Sequence, residues 1–298
     1  MPETVIETES ENPPKISLTQ RLVQVAKQLW MIVVLVGLAL FVSNNFDNIV
    51  EQLQEVSLLQ LGLSLLMIVV GRILMMILAH DALLSLKASI SRQSVLTIVA
   101  ISDPAKYLPG GIWHFVGRAG YYQAEGATLK TATQALLREN LWLVVSALFS
   151  GAIFLIIAYA NPQLWFLCIV IVLCWIGVLK LWTRHFSWIR LLIQMTMQCV
   201  MWLLLAYSFM IIFPAIPGTI EMQSLVFAAF TLSWLIGFLS LFAPGGLGIR
   251  ETILVVLLIP ILSAGDSSVL AITHRLLWIG VEVLFALVAW IFLNKNVG

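Results

Sequence analysis

Ionisable side chains inside apolar sequence are the feature of this chain that most clearly points to chemistry. Such groups are costly at membrane depth, so they indicate ion pairs or a functional site. The basic candidates are Lys106, Arg118, Arg250 and Arg275, and the acidic ones near them in sequence are Glu139, Glu251 and Glu282. Arg72, Asp103 and Arg138 also lie in apolar surroundings. For Arg72, Arg138 and Lys180 the alternative to a functional role is an ordinary ion pair or a side chain that snorkels to the interface.

Two Pro-Gly-Gly tripeptides interrupt these apolar stretches. The first is Pro109-Gly110-Gly111, and the second is Pro244-Gly245-Gly246, which Gly248 follows. Proline lacks a backbone donor and glycine disfavours helix, so we expect a break at both places. One such tripeptide would indicate a tight turn, but two, each followed by an arginine, favour paired half-helices around a central binding site.

A helix that begins just after each break would direct backbone amides and an arginine to the same point. Together these bind anions, and the abundant anion at membrane depth is a lipid phosphate. We therefore predict that Lys106, Arg118, Arg250 and Arg275 bind the phosphate, with Glu139, Glu251 and Glu282 as counter-charges when no lipid is bound. Arg118 and Arg250 are expected to converge on it, with Glu139 and Glu251 as their respective resting partners. Arg275 and Glu282 are seven residues apart, on one face of a helix.

Other kinds of site are disfavoured. The four histidines show no metal-binding spacing, Gly-x-Ser-x-Gly is missing, and Pro-Gly-Gly is not a nucleotide-binding loop. We expect no metal, no cofactor and no catalytic residue, hence no enzyme. The net charge of +1 and the lack of a basic run argue against nucleic acid as a partner.

Composition indicates the elements that must position these residues. Of 298 residues, 61% are hydrophobic and 10% charged, and the mean hydropathy is +1.01, as in membrane proteins. The predicted fold is an all-α polytopic membrane protein with about six full spans and two broken re-entrant helical hairpins related as inverted repeats. The spans are 22–43, 58–79, 136–160, 164–181, 189–213 and 268–293, and the broken segments are 95–125 and 225–262.

Charge bias predicts the orientation. The basic connectors at 80–94 and 182–190 belong in the cytoplasm, which places both termini there too, in a plasma (inner) membrane. Residues 1–20 form a disordered acidic cytoplasmic tail, and 21–298 form one transmembrane domain. Three crossings separate the hairpins, so they enter from opposite faces, as in inverted repeats spanning about 58–160 and 189–293.

The motifs Lys106-Tyr-Leu-Pro-Gly-Gly, Gly117-Arg118, Arg138-Glu139 at the start of the next helix, and Pro244-Gly-Gly-Leu-Gly-Ile-Arg-Glu251 resemble one family. This is the transmembrane domain of the lysylphosphatidylglycerol synthase/flippase family, and the resemblance covers most of residues 20–293. It implies lipid translocation between leaflets, with synthesis performed by a separate soluble domain. We expect that domain to be missing, because Gly298 follows the last span closely.

The first hypothesis is thus a transporter that flips an anionic or isoprenoid-linked lipid. The second is a non-catalytic membrane subunit that presents a lipid to a partner glycosyltransferase or aminoacyltransferase. An intramembrane enzyme acting on a lipid headgroup is the least favoured. In each case the partners include membrane lipids.

The orientation is testable by cysteine accessibility. Glu51→Cys and Glu221→Cys should react with an impermeant maleimide added outside the cell, because their connectors lack basic residues. Arg92→Cys and Arg184→Cys should react only after permeabilisation. Labelling of positions 92 and 221 from the same side would contradict the inverted arrangement.

Overall fold

A computed structural model describes residues 46–108, 111–159, 164–183, 186–212, 218–240 and 243–295, with isolated positions between 29 and 44. Within these ranges every regular element is a helix. The predicted tail 1–20, most of the predicted span 22–43, and the break residues Pro109 and Gly110 lie outside the described residues.

Six of the helices are long and apolar enough to cross a membrane, namely α2 (Leu58–Leu84), α5 (Leu129–Ala158), α6 (Trp165–Trp182), α7 (Trp188–Ile211), α8 (Ile220–Leu239) and α10, over its part Ala264–Phe292. The protein is therefore an all-α, multi-pass membrane protein, as predicted, whereas its particular membrane, its orientation and its division into repeats stay predictions. In chain order the helices are α1 (Phe46–Glu55), α2 (Leu58–Leu84), α3 (Arg92–Ser102), α4 (Trp113–Ala124), α5 (Leu129–Ala158), α6 (Trp165–Trp182), α7 (Trp188–Ile211), α8 (Ile220–Leu239), α9 (Ile249–Leu258) and α10 (Ala264–Lys295).

Both glycine-rich segments separate helices that pack against each other. α3 and α4 have 11 and 12 residues, or about 16–18 Å at 1.5 Å per residue, too short for about 30 Å of hydrocarbon. A 3₁₀ turn at Asp103–Tyr107 follows α3. The second pair is unequal, because α8 has 20 residues and α9 has 10. α8 is thus itself long enough to cross, and α9 is a half-length arm folded against it.

Helix α5 begins earlier than the sequence indicated. Its N-cap is Thr128, whose hydroxyl accepts a hydrogen bond from the amide of Thr131 at 3.1 Å. This cap starts the helix at Leu129, not at residue 136. The prediction that Arg138 and Glu139 open the helix is therefore wrong, since both lie about three turns into it.

Helix α8 is the central element of the bundle. Half of its apolar window is buried, against 11% for α6, which lies at the periphery. α8 packs most extensively against α5 and α9. Trp202 and Phe209 from α7 and Phe230 from α8 are fully buried in the main apolar core. The second break connects the end of this central helix to α9.

The close packing at the second break predicts a measurable effect of one methyl group. Gly246 has φ +72°, and a Cβ there would lie 3.0 Å from the carbonyl of Gly237. Gly246→Ala should therefore lower stability by at least about 1–2 kcal/mol, the cost of the left-handed conformation. Gly62→Ala is the control, because that helical position has open space around it and should gain up to about 1 kcal/mol. Equal thermal unfolding of both variants in detergent would contradict this packing.

Candidate functional site

The 3₁₀ turn after α3 meets the second break inside the bundle. A Cβ on Gly245 would lie 2.7 Å from the Tyr107 ring, so glycine permits the contact between the 3₁₀ turn after α3 and the turn at Pro244–Gly246. The carbonyl of Gly245 accepts a hydrogen bond from Arg275 Nη2 at 2.5 Å. A backbone group freed by the helix break is thus satisfied by a side chain from α10, as burial in a membrane requires.

Asp103 connects two arginines from different helices. It accepts a hydrogen bond from Arg72 of α2, and its Oδ1 lies 2.5 Å from Arg118 Nη2 of α4. Arg118 Nη1 also contacts both carboxylate oxygens of Glu139, at 2.8 and 2.9 Å. All four side chains are less than 10% exposed. Because these side chains are buried, each of the pairs depends on both of its members.

A second carboxylate, that of Glu282 in α10, contacts another set of donors. Lys106 Nζ lies 2.5 Å from Oε1, and Trp278 Nε1 donates to the same oxygen at 2.6 Å. The hydroxyl of Tyr107 donates to Oε2 at 2.8 Å, and Arg72 Nη2 lies 3.3 Å from Oε1. Because Arg72 contacts both Asp103 and Glu282, the two groups of charges form one network.

Glu251 does not contact Arg250, contrary to the sequence-based pairing. Its Oε1 lies 3.4 Å from Nε of Arg275, and its Oε2 accepts a hydrogen bond from the backbone amide of Gly248 at 2.8 Å. Consecutive residues on a helix project in different directions, so Arg250 and Glu251 cannot face each other. The carboxylate also occupies the helix N-terminus that we expected to bind an anion.

Arg250 is consequently the exception in the network. It is 5% exposed, and its guanidinium carbon lies 4.9 Å from the ring centroid of Phe230 and 4.8 Å from that of Trp278. Within the described part of the chain no carboxylate lies within ion-pair distance of it. Aromatic rings offset only part of the cost of burying a cation.

Charge counting shows the same imbalance. The basic members of the network are Arg72, Lys106, Arg118, Arg250 and Arg275, and the acidic members are Asp103, Glu139, Glu251 and Glu282. Five cations therefore face four carboxylates in their ionised forms. The excess positive charge falls on Arg250, because the other four cations each contact a carboxylate.

An open cavity of about 340 Å³ joins these groups. Lys106, Arg118, Arg250 and Arg275, the four residues predicted to bind phosphate, all line it, as do Gly111, Gly245 and Gly246. Its apolar wall includes Phe115, Leu143 and Trp234. The structure thus brings the four basic candidates to one cavity, but three of them are engaged with carboxylates.

Sequence reasoning left Arg72 and Asp103 out of the site. Arg72 is in the middle of α2, too far from the helix ends to snorkel, and that mid-span position was the available signal. Among the described residues no group of three or more His, Cys, Asp or Glu side chains is arranged to hold a metal ion.

No protein-family model and no curated protein matches this chain. The functional assignment therefore depends on the geometry of the cavity.

The Asp103 bridge predicts a large effect of a small substitution. Asp103→Asn should destabilise the protein by about 3–5 kcal/mol, because it leaves the buried Arg72 and Arg118 short of a counter-charge. Asp81→Asn is the matched control, since Asp81 pairs with Arg190, whose side chain is 41% exposed. Exposed pairs contribute about 0–1 kcal/mol. Denaturant unfolding in micelles measures both, and similar losses would contradict the bridging role.

Proposed function

We propose that this protein moves an anionic or isoprenoid-linked lipid between the leaflets of its membrane. The observation that supports the proposal is Arg250, a buried guanidinium without a carboxylate partner in the described residues, which lines a cavity among membrane-spanning helices. The positions of Lys106, Arg118 and Arg275 around the same cavity add to this support.

An anion is the ligand that the charge imbalance favours. A bound phosphate would neutralise Arg250 and could accept paired hydrogen bonds from its guanidinium. Such bonds are stronger than the contacts with Phe230 and Trp278 that the arginine makes without ligand. The cavity is therefore better satisfied with an anion than without one.

A lipid is the anion that fits the surroundings of the site. The cavity combines charged groups with an apolar wall and lies within a helical bundle whose outer surface is apolar. A lipid phosphate reaches such a site from the bilayer and retains contact with hydrocarbon along its chains. In the proposed cycle the phosphate pairs with Arg250 when the lipid enters the cavity and leaves it when the lipid departs. The ion pairs of Arg118 and Arg275 with their carboxylates limit the charge left at membrane depth in the empty state to that of Arg250.

The test is lipid movement by the purified protein in proteoliposomes. Arg250→Gln should lose translocation of fluorescent phosphatidylglycerol and weaken its binding by about 1.5–3 kcal/mol, the range for hydrogen bonds to a charged group. Arg250→Lys should be intermediate, since lysine offers a point charge and not a planar fork. Arg190→Gln is the control, because Arg190 is partly exposed and pairs with Asp81.

Normal translocation and normal binding by Arg250→Gln would contradict the proposal. Protein that binds the lipid through Arg250 but never translocates it would instead favour a subunit that presents lipid to a partner enzyme.

A further inference from the structure

A second cavity, of about 420 Å³, lies between α9 and α10. Its wall is mainly aliphatic, and Gly37 of the predicted first span also lines it. The aliphatic residues are Leu247, Val255, Val256, Ile272, Leu276 and Ile279. We name it the α9–α10 groove.

The groove adjoins the charged cavity at one residue. Arg275 lines both cavities. Glu251, its partner, lines the groove, together with Gly248 and Thr252 at the same end of α9. The groove thus has a polar end next to the charged cavity, and aliphatic side chains follow along α9 and α10. This gradient matches a molecule with a charged head and an apolar chain.

The Arg275–Glu251 pair at the junction is the loosest in the network. Nε of Arg275 and Oε1 of Glu251 are 3.4 Å apart, and both atoms are buried without a hydrogen bond. In contrast, Arg118 makes two hydrogen bonds with Glu139. Unsatisfied buried polar atoms cost free energy. A ligand oxygen at this point would accept a hydrogen bond from Arg275 Nε, or a headgroup donor would give one to Glu251 Oε1, and either bond would satisfy an atom that the ion pair leaves without one.

In the part of the chain that the structure describes, the groove is also exposed at the outer surface of the bundle. Val256 of α9 and Leu276 of α10 are 54% and 49% exposed. α9 has only 10 residues, about 15 Å, so it covers half of the hydrocarbon thickness along this flank of the bundle. A hydrocarbon chain can therefore enter between α9 and α10 from the bilayer without crossing the charged network.

We propose that the α9–α10 groove holds a hydrocarbon chain of the same lipid whose phosphate binds at Arg250, with Arg275 at the junction of head and chain. This rests on the proposed function and adds a second, separate binding site for the chain. The occupant is an amphiphile with an anionic head and a long acyl or isoprenoid chain, not a free phosphate.

The experiment compares two probes of equal headgroup and unequal chain length on purified protein, dioleoyl and dihexanoyl phosphatidylglycerol. Leu276→Trp, which fills the groove, should weaken dioleoyl binding at least about tenfold, because excluding even two methylene groups from an apolar site has an effect of that size. Dihexanoyl binding should weaken less than about twofold, whereas a loss of about 1.4 kcal/mol would weaken it about tenfold. Leu284→Trp is the control, since Leu284 lies on the same helix, is 52% exposed and does not line the groove.

Val256→Trp fills the groove from its opposite wall and should weaken dioleoyl binding in the same way. This second variant controls for a local structural effect of Leu276→Trp. Unchanged dioleoyl binding in both variants would overturn the chain site, and so would equal losses for both probes. The proposed function has a different readout, because Arg250→Gln should weaken both probes alike. If Arg250→Gln binds both normally, the phosphate site fails whatever the groove variants do.

Discussion

The constraint on which this structure depends is that charges and broken backbone inside a membrane must be neutralised by the protein itself. Each ionisable group at mid-membrane costs about 2.5–3.5 kcal/mol on insertion scales. The network meets this constraint by joining α2, α4, α5, α9, α10 and the turn after α3 through side chains. These elements are distant in sequence, so the ion pairs also specify how the helices are arranged.

The breaks and the ion pairs depend on each other. A continuous helix through Pro244–Gly246 would remove the carbonyl that Arg275 binds and the space into which Tyr107 packs. Tyr107 in turn donates to Glu282, which contacts Lys106 and Arg72. Glycine at 245 therefore stabilises the network indirectly, since it lets the two turns approach closely enough for their side chains to share carboxylates.

Composition and apolar segment length were sufficient to predict the class of fold, and Pro-Gly-Gly was sufficient to locate the second break, because these signals are local. The bridging role of Asp103 was not predictable, since Arg72 and Arg118 are 31 and 15 residues away from it and meet it only through tertiary packing. Adjacency in sequence suggested that Glu251 would pair with Arg250, but helix geometry directs the two apart. Thr128 was an available N-cap signal for α5 that apolar counting ignored.

An arginine without a carboxylate partner in the described part of the chain is what we expect of a binding cavity and not of an ion-pair network that serves stability alone. A network that served stability alone would gain from a fifth carboxylate or from replacing Arg250 with an apolar side chain, since well-packed apolar groups often equal or exceed buried ion pairs in stability. Phe230 and Trp278 already provide apolar surroundings for such a replacement. The guanidinium is nevertheless present, beside a cavity and four neutralised cations. Under the proposed function, its cost to the empty protein is recovered when an anion binds, so the binding energy would favour a ligand of opposite charge over neutral lipids.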